Sequence, residues 1–407
     1  MYGPFMTRSR NIDSAWRSMV GTISEKGSMV YTEGKRQKTL ECICGIAHLT
    51  DWRTGAITPR NYIGLSPDVI EHQYWPQYSS SEKGEHTYTY GWCMKKRFGF
   101  NQIQHVVDSL KRSGNVAFAQ LWNPIEDSRS PNPPCIDIVA FQKVNEKINI
   151  IDYIRSNDIA RAWSEDVSGS YAVFLTEVAA HYGGSSARGD VLTVSGSAHL
   201  YHTSLDEIKE RFKSSYSSSN QKPAENASTI FGPVLRGITD KERCSVAVQR
   251  VVEDYSRSLD KVALHVCLKS QPTKAQRATG LRTRVALDHG RLGGALMQFE
   301  GKNDEGELET MNQIAWAASK LRATPESRRI VMTPNNPSQN EYSINPIVIQ
   351  FLAREGILHT IALYHDVAVD SVDEHYQLLK TISEEVREES RNLKQGPLIM
   401  LLSPVRF

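Results

Sequence analysis

The chain has 407 residues, of which 40% are hydrophobic and 23% are charged, and its formal net charge at pH 7 is +2. This length exceeds a typical single domain and predicts two domains of about 200 residues each. The composition is ordinary for a soluble globular protein, and the small net charge excludes the strong positive footprint of a protein that binds nucleic acid directly. No apolar stretch reaches the roughly 18 residues that a membrane helix needs, so no membrane partner is expected.

The cysteines and the N-terminus predict a cytoplasmic protein. Six cysteines in a chain of this length do not make a disulfide scaffold. Cys42 and Cys44 lie two apart in a predicted strand and should share one face as buried free thiols. No second Cys/His pair has zinc spacing, so no metal is expected. Arg8 and Arg10 precede no apolar core, so this N-terminus does not resemble a signal peptide.

Hydrophobic periodicity in the first half of the chain alternates between helical and extended patterns. The predicted helices are residues 12–26, 67–75, 102–111, 170–182 and 204–212. The predicted strands are residues 39–47, 116–121, 136–142, 148–154 and 191–194. Because these elements follow one another without a regular βαβ rhythm, the pattern favours an α+β fold.

A serine-rich segment that contains a proline, residues 214–228, follows the last of these helices. Its polar composition predicts an exposed linker. The linker separates a predicted first domain, residues 1–213, from a predicted second domain, residues 229–407.

The second half of the chain repeats much of the first. Asn101-Gln102-Ile103 and Asn312-Gln313-Ile314 each begin a helical pattern of the same spacing, and both are followed by an apolar run and an Asn-Pro dipeptide. The elements predicted after this point are a hairpin of residues 347–352 and 357–364, a helix at 372–391 and an extended segment at 396–407. We therefore predict a tandem duplication, in which the second domain is a degenerate copy of the first.

The two copies have lost opposite groups. The first contains Pro133-Pro134-Cys135, where the second has Asn345-Pro346-Ile347 and no cysteine. The second contains Ser327-Arg328-Arg329, where the first has Ser113-Gly114-Asn115. A nucleophile in one copy and an arginine pair in the other predict a two-subunit site that is combined within one chain.

Cys135 and Arg155 are the first candidates for chemistry. A cysteine that follows two prolines at the start of a strand is conformationally fixed, although a buried structural cysteine has the same pattern. Arg155 follows across the predicted hairpin and offers a planar fork of N–H donors that suits a phosphate and favours a neighbouring thiolate. In Arg155-Ser156-Asn157-Asp158 the serine adds a hydroxyl group, and the aspartate adds an acceptor for the N–H groups of a heterocycle.

These residues resemble the thymidylate synthase family, which includes the pyrimidine nucleotide hydroxymethylases. The motifs that carry the resemblance are Tyr90-Gly91, Pro133-Pro134-Cys135, Arg155-Ser156-x-Asp158, Ser170-Tyr171-Ala172 and Gly196-Ser197-Ala198-His199-x-Tyr201. They cover most of residues 12–213. The resemblance implies a thymidylate-synthase-like fold, and together with the duplication it implies an intramolecular pseudodimer, as a monomer or in a higher homo-oligomer.

The resemblance also implies an activity, the transfer of a one-carbon unit from 5,10-methylenetetrahydrofolate to C5 of a pyrimidine nucleoside 5′-monophosphate. Cys135, as thiolate, would add to C6 and make C5 nucleophilic, which is covalent catalysis. Glu71 would organise water and proton transfers, with a solvated helix glutamate as the alternative. Asp158 would face the folate pterin and is counted, with Asp166, among the catalytic residues.

The resemblance implies a set of substrate-binding residues as well. They are Arg155 and Ser156 at the phosphate, His199 and Tyr201 at the sugar hydroxyl, Tyr90, and Arg36, which stands a residue or two out of register with the family's phosphate-loop arginine. In this family each phosphate is also held by an arginine pair from the partner subunit. Arg328 and Arg329 match that pair, whereas His365 stands near the expected equivalent of Arg155. One active site per chain follows, and solvated surface arginines are the alternative.

The base is predicted from Asp166, eleven residues past Arg155, where thymidylate synthases place an asparagine that reads uracil. An ionised carboxylate only accepts hydrogen bonds, which suits the N4 amino group of cytosine and leaves O4 of uracil without a donor. dCMP is therefore the favoured substrate, with dUMP second. One extra residue before Ser170-Tyr171-Ala172 leaves open a register in which Val167 takes this position.

Two departures from the family pattern leave the product open. The segment between Glu71 and Tyr90 is short, and Ala160-Arg161-Ala162 replaces an apolar Phe-Leu-Gly. Hydroxymethylation and methylation both fit, as do ribonucleotides and deoxyribonucleotides. A dUMP hydroxymethylase or thymidylate synthase is the nearest alternative, and a catalytically inactive protein that binds a nucleotide or a partner is the alternative of another class. Such enzymes supply modified bases for viral DNA, so a phage origin would place the protein in the host cytoplasm.

Overall fold

The computed structural model describes most of residues 2–213 and several segments of the second half. The gaps in the first range are residues 33–36, 51–57, 60–61, 85–87, 113–115, 128–129, 131 and 145. The described segments beyond it are residues 225–226, 262–265, 298–302, 308–312, 329–332, 348–365, 372–390 and 393–403. The chain divides into two compact units, the first formed by residues 1–122 and 130–227 and the second by residues 123–129 and 228–407. The predicted linker, apart from residues 225–226, lies outside the described residues.

The first unit is built on one mixed sheet. Its strands are β1 (Phe5–Ser9), β2 (Ser28–Thr32), β3 (Gln37–Leu49), β4 (Val116–Gln120), β5 (Ile136–Val144), β6 (Lys147–Asp158), β7 (Arg188–Tyr201) and β8 (Glu225–Asn226). Their order is β4-β5-β6-β7-β3-β1-β8, and β2 pairs with β3 beside this path. The pairs β1–β3 and β6–β7 are parallel, whereas the other pairs are antiparallel. The unit thus combines a mixed parallel and antiparallel sheet with helices, as the predicted α+β class requires.

The helices lie between these strands along the chain, singly or in groups. They are α1 (Ile12–Lys26), α2 (Pro67–Val69), α3 (Trp75–Ser79), α4 (Tyr90–Lys95), α5 (Gln102–Arg112), α6 (Pro124–Asp127), α7 (Trp163–Gly169), α8 (Thr176–Tyr182) and α9 (His202–Lys213). Of these, only α6 belongs to the second unit.

The first helix shows how the sequence specifies an element and its packing. The side chain of Asn11 caps α1 by accepting a hydrogen bond from the backbone N–H of Ser14 at 2.9 Å. Its buried residues recur at helical spacing and are Ile12, Ala15, Trp16, Met19, Val20, Thr22 and Ile23. The indole N–H of Trp16 donates to the carbonyl of Ile159 at 2.7 Å. This bond ties α1 to the end of β6, where several predicted site residues lie.

Two helical segments contain a π-helical turn. Residues Ile70–Tyr74 form such a turn between α2 and α3, and residues Ser170–Leu175 form another between α7 and α8. A π-helical turn holds one residue more than an α-helical turn and often occurs at functional sites. Both turns mark places where the helix departs from the regular period that the sequence predicts.

The hairpin of β5 and β6 positions the region around Cys135. The two strands pair antiparallel up to a tight turn in which Glu146 has a left-handed φ of 59°. The pairing is irregular at Asp137, whose carbonyl accepts hydrogen bonds from the backbone N–H groups of Leu121 and Trp122. A bulge redirects neighbouring side chains. This one comes directly after the predicted nucleophile.

The second unit contains a five-stranded sheet of its own. The described strands of this unit are β9 (Val262–His265), β10 (Gln298–Lys302), β11 (Leu308–Asn312), β12 (Arg329–Met332), β13 (Val348–Arg354), β14 (Ile357–His365) and β15 (Lys394–Ser403). The sheet has the order β12-β13-β14-β15-β9, and β10 and β11 form a separate antiparallel pair. Helix α10 (Val372–Ser390) connects β14 with β15. The strand β13 is buried along its whole length.

Most predicted elements are present with shifted ends. The helix predicted at residues 12–26 coincides with α1, and the helix predicted at 372–391 matches α10 to within one residue. The helical pattern predicted from Asn312 is wrong at its first residue, because Asn312 ends β11 and pairs with Gln298. Residues 313–321 of that pattern lie outside the described residues. The strands β1, β2, β9, β10 and β11 are not apparent from the periodicity.

Candidate active site

Cys135 and Arg155 are neighbours across the base of the hairpin. Cys135 lies immediately before β5 and is partly exposed, whereas Cys42, Cys44 and Cys93 are buried. The backbone N–H of Arg155 donates to the carbonyl of Cys135 at 3.0 Å. The structure therefore brings together the predicted nucleophile and the predicted phosphate ligand.

The side chain of Arg155 is held against the Pro133-Pro134-Cys135 turn. Its Nε donates to the carbonyl of Pro134 at 2.9 Å, and Nη2 donates to the carbonyl of Pro133 at 3.1 Å. The guanidinium also lies 5.3 Å from the ring centroid of Trp122, and Nε lies 3.6 Å from a carboxylate oxygen of buried Asp137. The two bonds to the turn use two of the five N–H groups of an arginine. Together these contacts fix the guanidinium plane beside the turn that carries the thiol.

Two tyrosines donate hydrogen bonds to Asp166, the residue predicted to read the base. The phenol of Tyr74 lies 2.7 Å from Oδ1 of Asp166, and the phenol of Tyr78 lies 3.0 Å from the same oxygen. Tyr74 ends the first π-helical turn, and Tyr78 lies in α3. Burial, followed by the charge of Asp166, raises the pKa of both phenols well above its ordinary value. Both phenols therefore keep their protons and act as donors.

The ionisation of Asp166 is set by its surroundings. Burial raises the pKa of Asp166 to about 7, although the hydrogen bonds from Tyr74 and Tyr78 act in the opposite direction. The charge of Glu165 raises the pKa further, and Glu165 itself accepts a hydrogen bond from the phenol of Tyr62 at 2.7 Å. A carboxyl group accepts hydrogen bonds when ionised and gains a donor when protonated. Near neutral pH, Asp166 can present either pattern to a ligand.

Tyr88 and Tyr90 connect the thiol with Asp166. Burial raises the pKa of Tyr88, and the charges of Cys135 and then Asp166 raise it further, while Arg155 acts in the opposite direction. Burial, Asp166 and Cys135 also raise the pKa of Tyr90. Because electrostatic effects of this kind weaken with distance, Cys135, Arg155 and Asp166 lie around one group of tyrosines. This grouping is the centre of the candidate site.

Two glycines allow Tyr78 to take its position. The rings of Tyr78 and Tyr90 lie 4.8 Å apart, centroid to centroid. A Cβ at Gly91 would collide with the carbonyl oxygen of Tyr78, and a Cβ at Gly169 would lie 2.5 Å from its ring. Gly91 belongs to the Tyr90-Gly91 motif. Its packing role is to let the backbone carbonyl of Tyr78 lie close to the start of α4.

The second π-helical turn bears on the choice between Asp166 and Val167. It covers Ser170–Leu175, just after the place where the chain has one residue more than the family pattern. Since a π-helical turn absorbs an extra residue locally, residues before the turn keep their spacing from Arg155. Val167 is fully buried in the apolar core. Asp166 is buried as well, so burial does not distinguish the two positions, and the role of Asp166 stays a prediction.

Asp158 and Ser156 lie at the end of β6, and both are partly exposed. The backbone N–H of Ala160 donates to Oδ1 of Asp158 at 3.1 Å. Burial raises the pKa of Asp158 to about 6, whereas the hydrogen bonds from the backbone of Ala160 and Arg161 lower it. Arg161, where the chain departs from the family pattern, donates to the hydroxyl of Ser204 at 3.2 Å. That arginine is thereby tied to α9.

His199 and Tyr201 lie at the end of β7. His199 is buried and Tyr201 is partly exposed, and their ring centroids are 5.2 Å apart with the planes at 88°. In the sheet, His199 pairs with Glu41 of β3 and with Asp158 of β6. Nδ1 of His199 lies 3.4 Å from the hydroxyl oxygen of Ser197, which also forms a hydrogen bond with Glu41. Glu41 thus joins the site, although no motif marks it.

Other predicted site residues are placed outside this group or are not described. Glu71 is exposed on the first π-helical turn, three residues before the inward-facing Tyr74. Arg36 and Arg328 lie outside the described residues, and only the backbone of Arg329 is described, as the first residue of β12. The roles predicted for these four residues stay predictions.

Sequence reasoning missed the tyrosine group. Tyr74, Tyr78 and Tyr88 contact or surround the predicted catalytic groups, yet none was assigned a role. The density of tyrosines between residues 74 and 90 is the signal that could have found them, because phenols combine an apolar ring with a hydrogen-bond donor and suit partly buried polar sites.

Within the described ranges, no three His, Cys, Asp or Glu side chains come together in a way that could hold a metal ion. In the same part of the chain, no helix combines the length and the apolar character needed to cross a bilayer.

Comparison with known proteins identifies the family. A family model described as thymidylate synthase matches residues 67–228, from the first residue of α2 to just beyond β8. The matched part of the chain, residues 67–228, is a thymidylate synthase domain. All motifs of the predicted resemblance, from Tyr90 to Tyr201, lie within the matched residues, so that prediction is confirmed for the first unit. The match ends at residue 228, so it does not test residues 229–407 and leaves the degenerate second copy as a prediction.

Individual proteins named as thymidylate synthases are similar to part of the chain. A Methanosarcina mazei protein named "Putative thymidylate synthase" is 28% identical over 212 residues, which cover 51% of this chain and 94% of the relative. A protein of the same name from Methanothermobacter thermautotrophicus is 30% identical over 143 residues, or 35% of this chain and 63% of the relative. The thymidylate synthase of varicella-zoster virus is 30% identical over 113 residues, or 27% and 36%. The chain therefore spans less than two thirds of the last two relatives.

Among solved structures, the thermostable thymidylate synthase A from Bacillus subtilis is similar to this chain at 18% sequence identity with a TM-score of 0.38. The similarity covers 50% of this chain and 84% of that protein.

Proposed function

We propose that the first unit transfers a one-carbon unit from 5,10-methylenetetrahydrofolate to C5 of a pyrimidine nucleoside 5′-monophosphate, with dCMP as the favoured substrate. The observation that carries the proposal is the position of Arg155 beside Cys135, together with the hydrogen bonds that hold Asp166 to Tyr74 and Tyr78. A thiol, a guanidinium and a carboxyl group supply a nucleophile, a phosphate ligand and a group that can read a base. The thymidylate synthase domain at residues 67–228 supports the same class of reaction.

Cys135 is the proposed nucleophile. Its thiolate adds to C6 of the base, and the displaced ring electrons make C5 nucleophilic toward the one-carbon unit. Loss of the C5 proton and expulsion of Cys135 restore the ring and the thiolate. Arg155 is well suited to assist, because a fixed positive group beside a cysteine favours the thiolate and its N–H fork binds phosphate. The hydrogen bonds of Arg155 to the Pro133 and Pro134 carbonyls support this arrangement.

Asp166 is the proposed base reader. Because Tyr74 and Tyr78 both donate to Oδ1, the carboxyl group is held in one orientation. As a carboxylate it accepts from the N4 amino group of cytosine and offers no donor to O4 of uracil. The second candidate substrate is dUMP, and the raised pKa of Asp166 is the observation that favours it. A protonated Asp166 would donate to O4 of uracil.

Asp158 fits the proposed contact with the folate. Its carboxyl group is partly exposed at the end of β6 and already accepts a backbone N–H, as a partner for the N–H groups of a pterin must do. The folate supplies the one-carbon unit. Hydroxymethylation requires water at the transferred carbon and methylation requires hydride, so the product depends on which of the two reaches it.

We further propose that the second unit is a degenerate copy of the first, so that the chain is a pseudodimer with one active site. The matching strand order and register of the two sheets support this proposal. In that arrangement Arg328 and Arg329 act as additional phosphate ligands. Titration of the full chain with a tight nucleotide analogue should then saturate at one site per chain, and saturation at two sites would contradict the proposal.

Product analysis tests the activity. The full chain is incubated with 5,10-methylenetetrahydrofolate and dCMP, CMP or dUMP, and the nucleotides are examined by mass spectrometry. In parallel, tritium release is measured from nucleotides labelled at C5. We expect tritium release and a modified product with dCMP first. Nucleotide binding without tritium release would indicate an inactive binding protein, and a modified product from dUMP alone would reverse the proposed base preference.

A further inference from the structure

A buried chain of hydrogen-bonding groups ends on His199. Glu41 of β3 pairs directly with His199 of β7, and Ser197 lies two residues earlier on the same strand. Residues that pair across strands, and residues two apart in one strand, share a face of the sheet. Glu41, Ser197 and His199 therefore project to one side, and all three are buried. Ser197 and Glu41 are 156 positions apart, so only the strand register brings them together.

The contacts of His199 determine which ring nitrogen carries a proton. Nδ1 lies 3.3 Å from the carbonyl oxygen of Ser197, which can only accept a hydrogen bond. Nδ1 also lies 3.4 Å from the hydroxyl oxygen of Ser197, and that hydroxyl group forms a hydrogen bond with Glu41. Since a carboxylate only accepts, the Ser197 hydroxyl donates to Glu41 and accepts from His199. Both contacts require a proton on Nδ1.

We propose that Glu41 and Ser197 are positioning residues that fix the Nδ1–H tautomer of His199 and thereby make its Nε2 a hydrogen-bond acceptor. In a neutral imidazole with a proton on Nδ1, Nε2 carries the lone pair. Outer partners commonly fix the tautomer of a functional histidine in this way. The ligand group at Nε2 is then a donor, and a carbonyl or phosphate oxygen is excluded there.

The identity of that donor rests on the proposed function. dCMP carries one sugar hydroxyl group, at C3′, and the predicted role of His199 is to bind it. With Nε2 as acceptor, the hydroxyl must donate. A substituent that only accepts should gain nothing from His199, whereas a hydroxyl should gain one hydrogen bond.

The first test is the tautomer itself, measured by nitrogen NMR on the full chain labelled with ¹⁵N-histidine. The His199 signals are assigned by their loss in His199→Asn. We expect a protonated Nδ1 and an unprotonated Nε2 at pH 7.5 in the wild type. A proton on Nε2, in either the other tautomer or the imidazolium, would overturn the proposal. This measurement needs no activity and no bound nucleotide.

The second test uses variants of the chain. In Ser197→Ala and Glu41→Gln we expect the Nδ1–H preference of His199 to weaken, because the contact with the Ser197 carbonyl then remains as the one that requires this proton. In Ser197→Thr we expect the retained hydroxyl group to preserve the preference. Ser195→Ala is the matched control, because Ser195 lies on the same strand and face but accepts from the side chain of Asn157 at 2.9 Å. An unchanged tautomer in both Ser197→Ala and Glu41→Gln would contradict a positioning role for these residues.

The third test compares dCMP with its 3′-deoxy and 3′-fluoro analogues by calorimetry. Loss of one hydrogen bond should weaken wild-type binding about fivefold to thirtyfold for both analogues. Equal binding of dCMP and the 3′-fluoro analogue would overturn the acceptor role of Nε2. If no nucleotide binds while the NMR signals show Nδ1–H, the proposed function fails and the tautomer assignment stands.

Discussion

The sheets of the two units share a four-strand plan, β4-β5-β6-β7 in the first and β12-β13-β14-β15 in the second. In each sheet the first two pairs are antiparallel and the third is parallel, with a helical crossover before the last strand. The registers agree as well. Val116 of β4 pairs with the residue two positions before the end of β5, and Arg329 of β12 pairs with the residue two positions before the end of β13.

The parallel pair contains the same bulge in both units. Between the partners of Ile148 and Ile150, two residues of β7 oppose one of β6. Between the partners of Leu358 and Thr360, two residues of β15 oppose one of β14. In each unit the bulge begins one residue after the hairpin turn closes. An irregularity repeated at one position is harder to obtain independently than a shared strand order.

A glycine occupies the bulge in each case. A Cβ at Gly189 would lie 2.9 Å from the carbonyl oxygen of Ile148, and a Cβ at Gly396 would lie 2.6 Å from the carbonyl oxygen of Leu358. A side chain at either position would press the strands apart, so close backbone approach explains both glycines.

The units differ where the strands end. Arg155 stands eight residues after the start of β6, and His365 stands eight residues after the start of β14. The next strand also differs, since β7 is antiparallel to β3 whereas β15 is parallel to β9. The buried centre of the sheet is thus common to both units, and the residues that carry chemistry are not. In this molecule the residues that specify the sheet are separable from those that form the site.

The largest effect should come from removing the thiol of Cys135, whose matched position in the second copy is Ile347. Cys135→Ser should reduce turnover to below about 1% of the wild-type rate, because a hydroxyl group is a far poorer nucleophile than a thiolate at neutral pH. Turnover is measured by tritium release from C5-labelled dCMP. The control is calorimetric binding of dCMP, which should largely survive because Arg155 is untouched. Residual turnover of several per cent would argue against a covalent adduct at this residue.

Exchanging the base reader should have the next largest effect. Asp166→Asn should shift the ratio of kcat/KM for dCMP over dUMP toward dUMP by up to about 10²-fold, because each mismatched buried hydrogen bond costs about 1–3 kcal/mol. Steady-state rates with both nucleotides measure the shift.

Val167→Ala serves as the control for the alternative register. An unchanged ratio in Asp166→Asn, together with a changed ratio in Val167→Ala, would assign base reading to the position of Val167.

The comparison of the two units predicts a smaller effect for the arginines of the second. Arg328→Ala or Arg329→Ala should raise the nucleotide KM at least about tenfold, because a charge-assisted hydrogen bond to phosphate contributes about 1.5–3 kcal/mol. Arg387→Ala on α10 is the matched control, since Arg387 pairs with its neighbour Glu388 at 3.2 Å. Equal KM values in all three variants would remove the second unit from the site.

The smallest effect concerns the pH at which base preference changes. Above its pKa of about 7, Asp166 is an acceptor and favours dCMP; below it, the protonated carboxyl group can donate to uracil. The dCMP/dUMP ratio of kcat/KM should therefore rise as the pH rises through about 7, and the ionisation of Cys135, common to both substrates, cancels in the ratio.

The tyrosines that contact Asp166 should move this midpoint. The hydrogen bond from Tyr74 lowers the pKa of Asp166, so Tyr74→Phe should shift the midpoint to higher pH. Tyr182→Phe is the control, because Tyr182 donates to Glu146 at 3.3 Å instead. A midpoint that is the same in Tyr74→Phe and wild type would mean that another group titrates.

Local patterns made the hairpin and α1 predictable. The apolar runs on either side of a polar tip predict β5 and β6, and the spacing from Ile12 to Ile23 predicts α1 and its buried face. The nucleophile and Arg155 were found for the same reason, since both lie at the base of that hairpin. The short strands β1 and β2 carry little periodicity, because they are held by pairing with β3.

The partners of the site residues depend on long-range register, which one sequence does not encode in any local pattern. Glu41 reaches Ser197 only through the pairing of β3 with β7. Tyr74 and Tyr78 reach Asp166 because α3 packs against the second π-helical segment, about 90 residues further along the chain. The prediction of Asp166 could be made by counting from Arg155, whereas the tyrosines that hold it required the tertiary structure.

The π-helical turn at Ser170–Leu175 also determines where the chain can change in length. Removing one residue within it would convert the turn to a regular α-helix, and the change would be absorbed before α8 begins. Removing one residue between Arg155 and Asp166 would instead rotate the carboxyl group away from Tyr74 and Tyr78. The helix can therefore change in length at a position that follows Asp166 in the chain. Insertions and deletions there leave unchanged the number of residues between Arg155, the proposed phosphate ligand, and Asp166, the proposed base-reading residue.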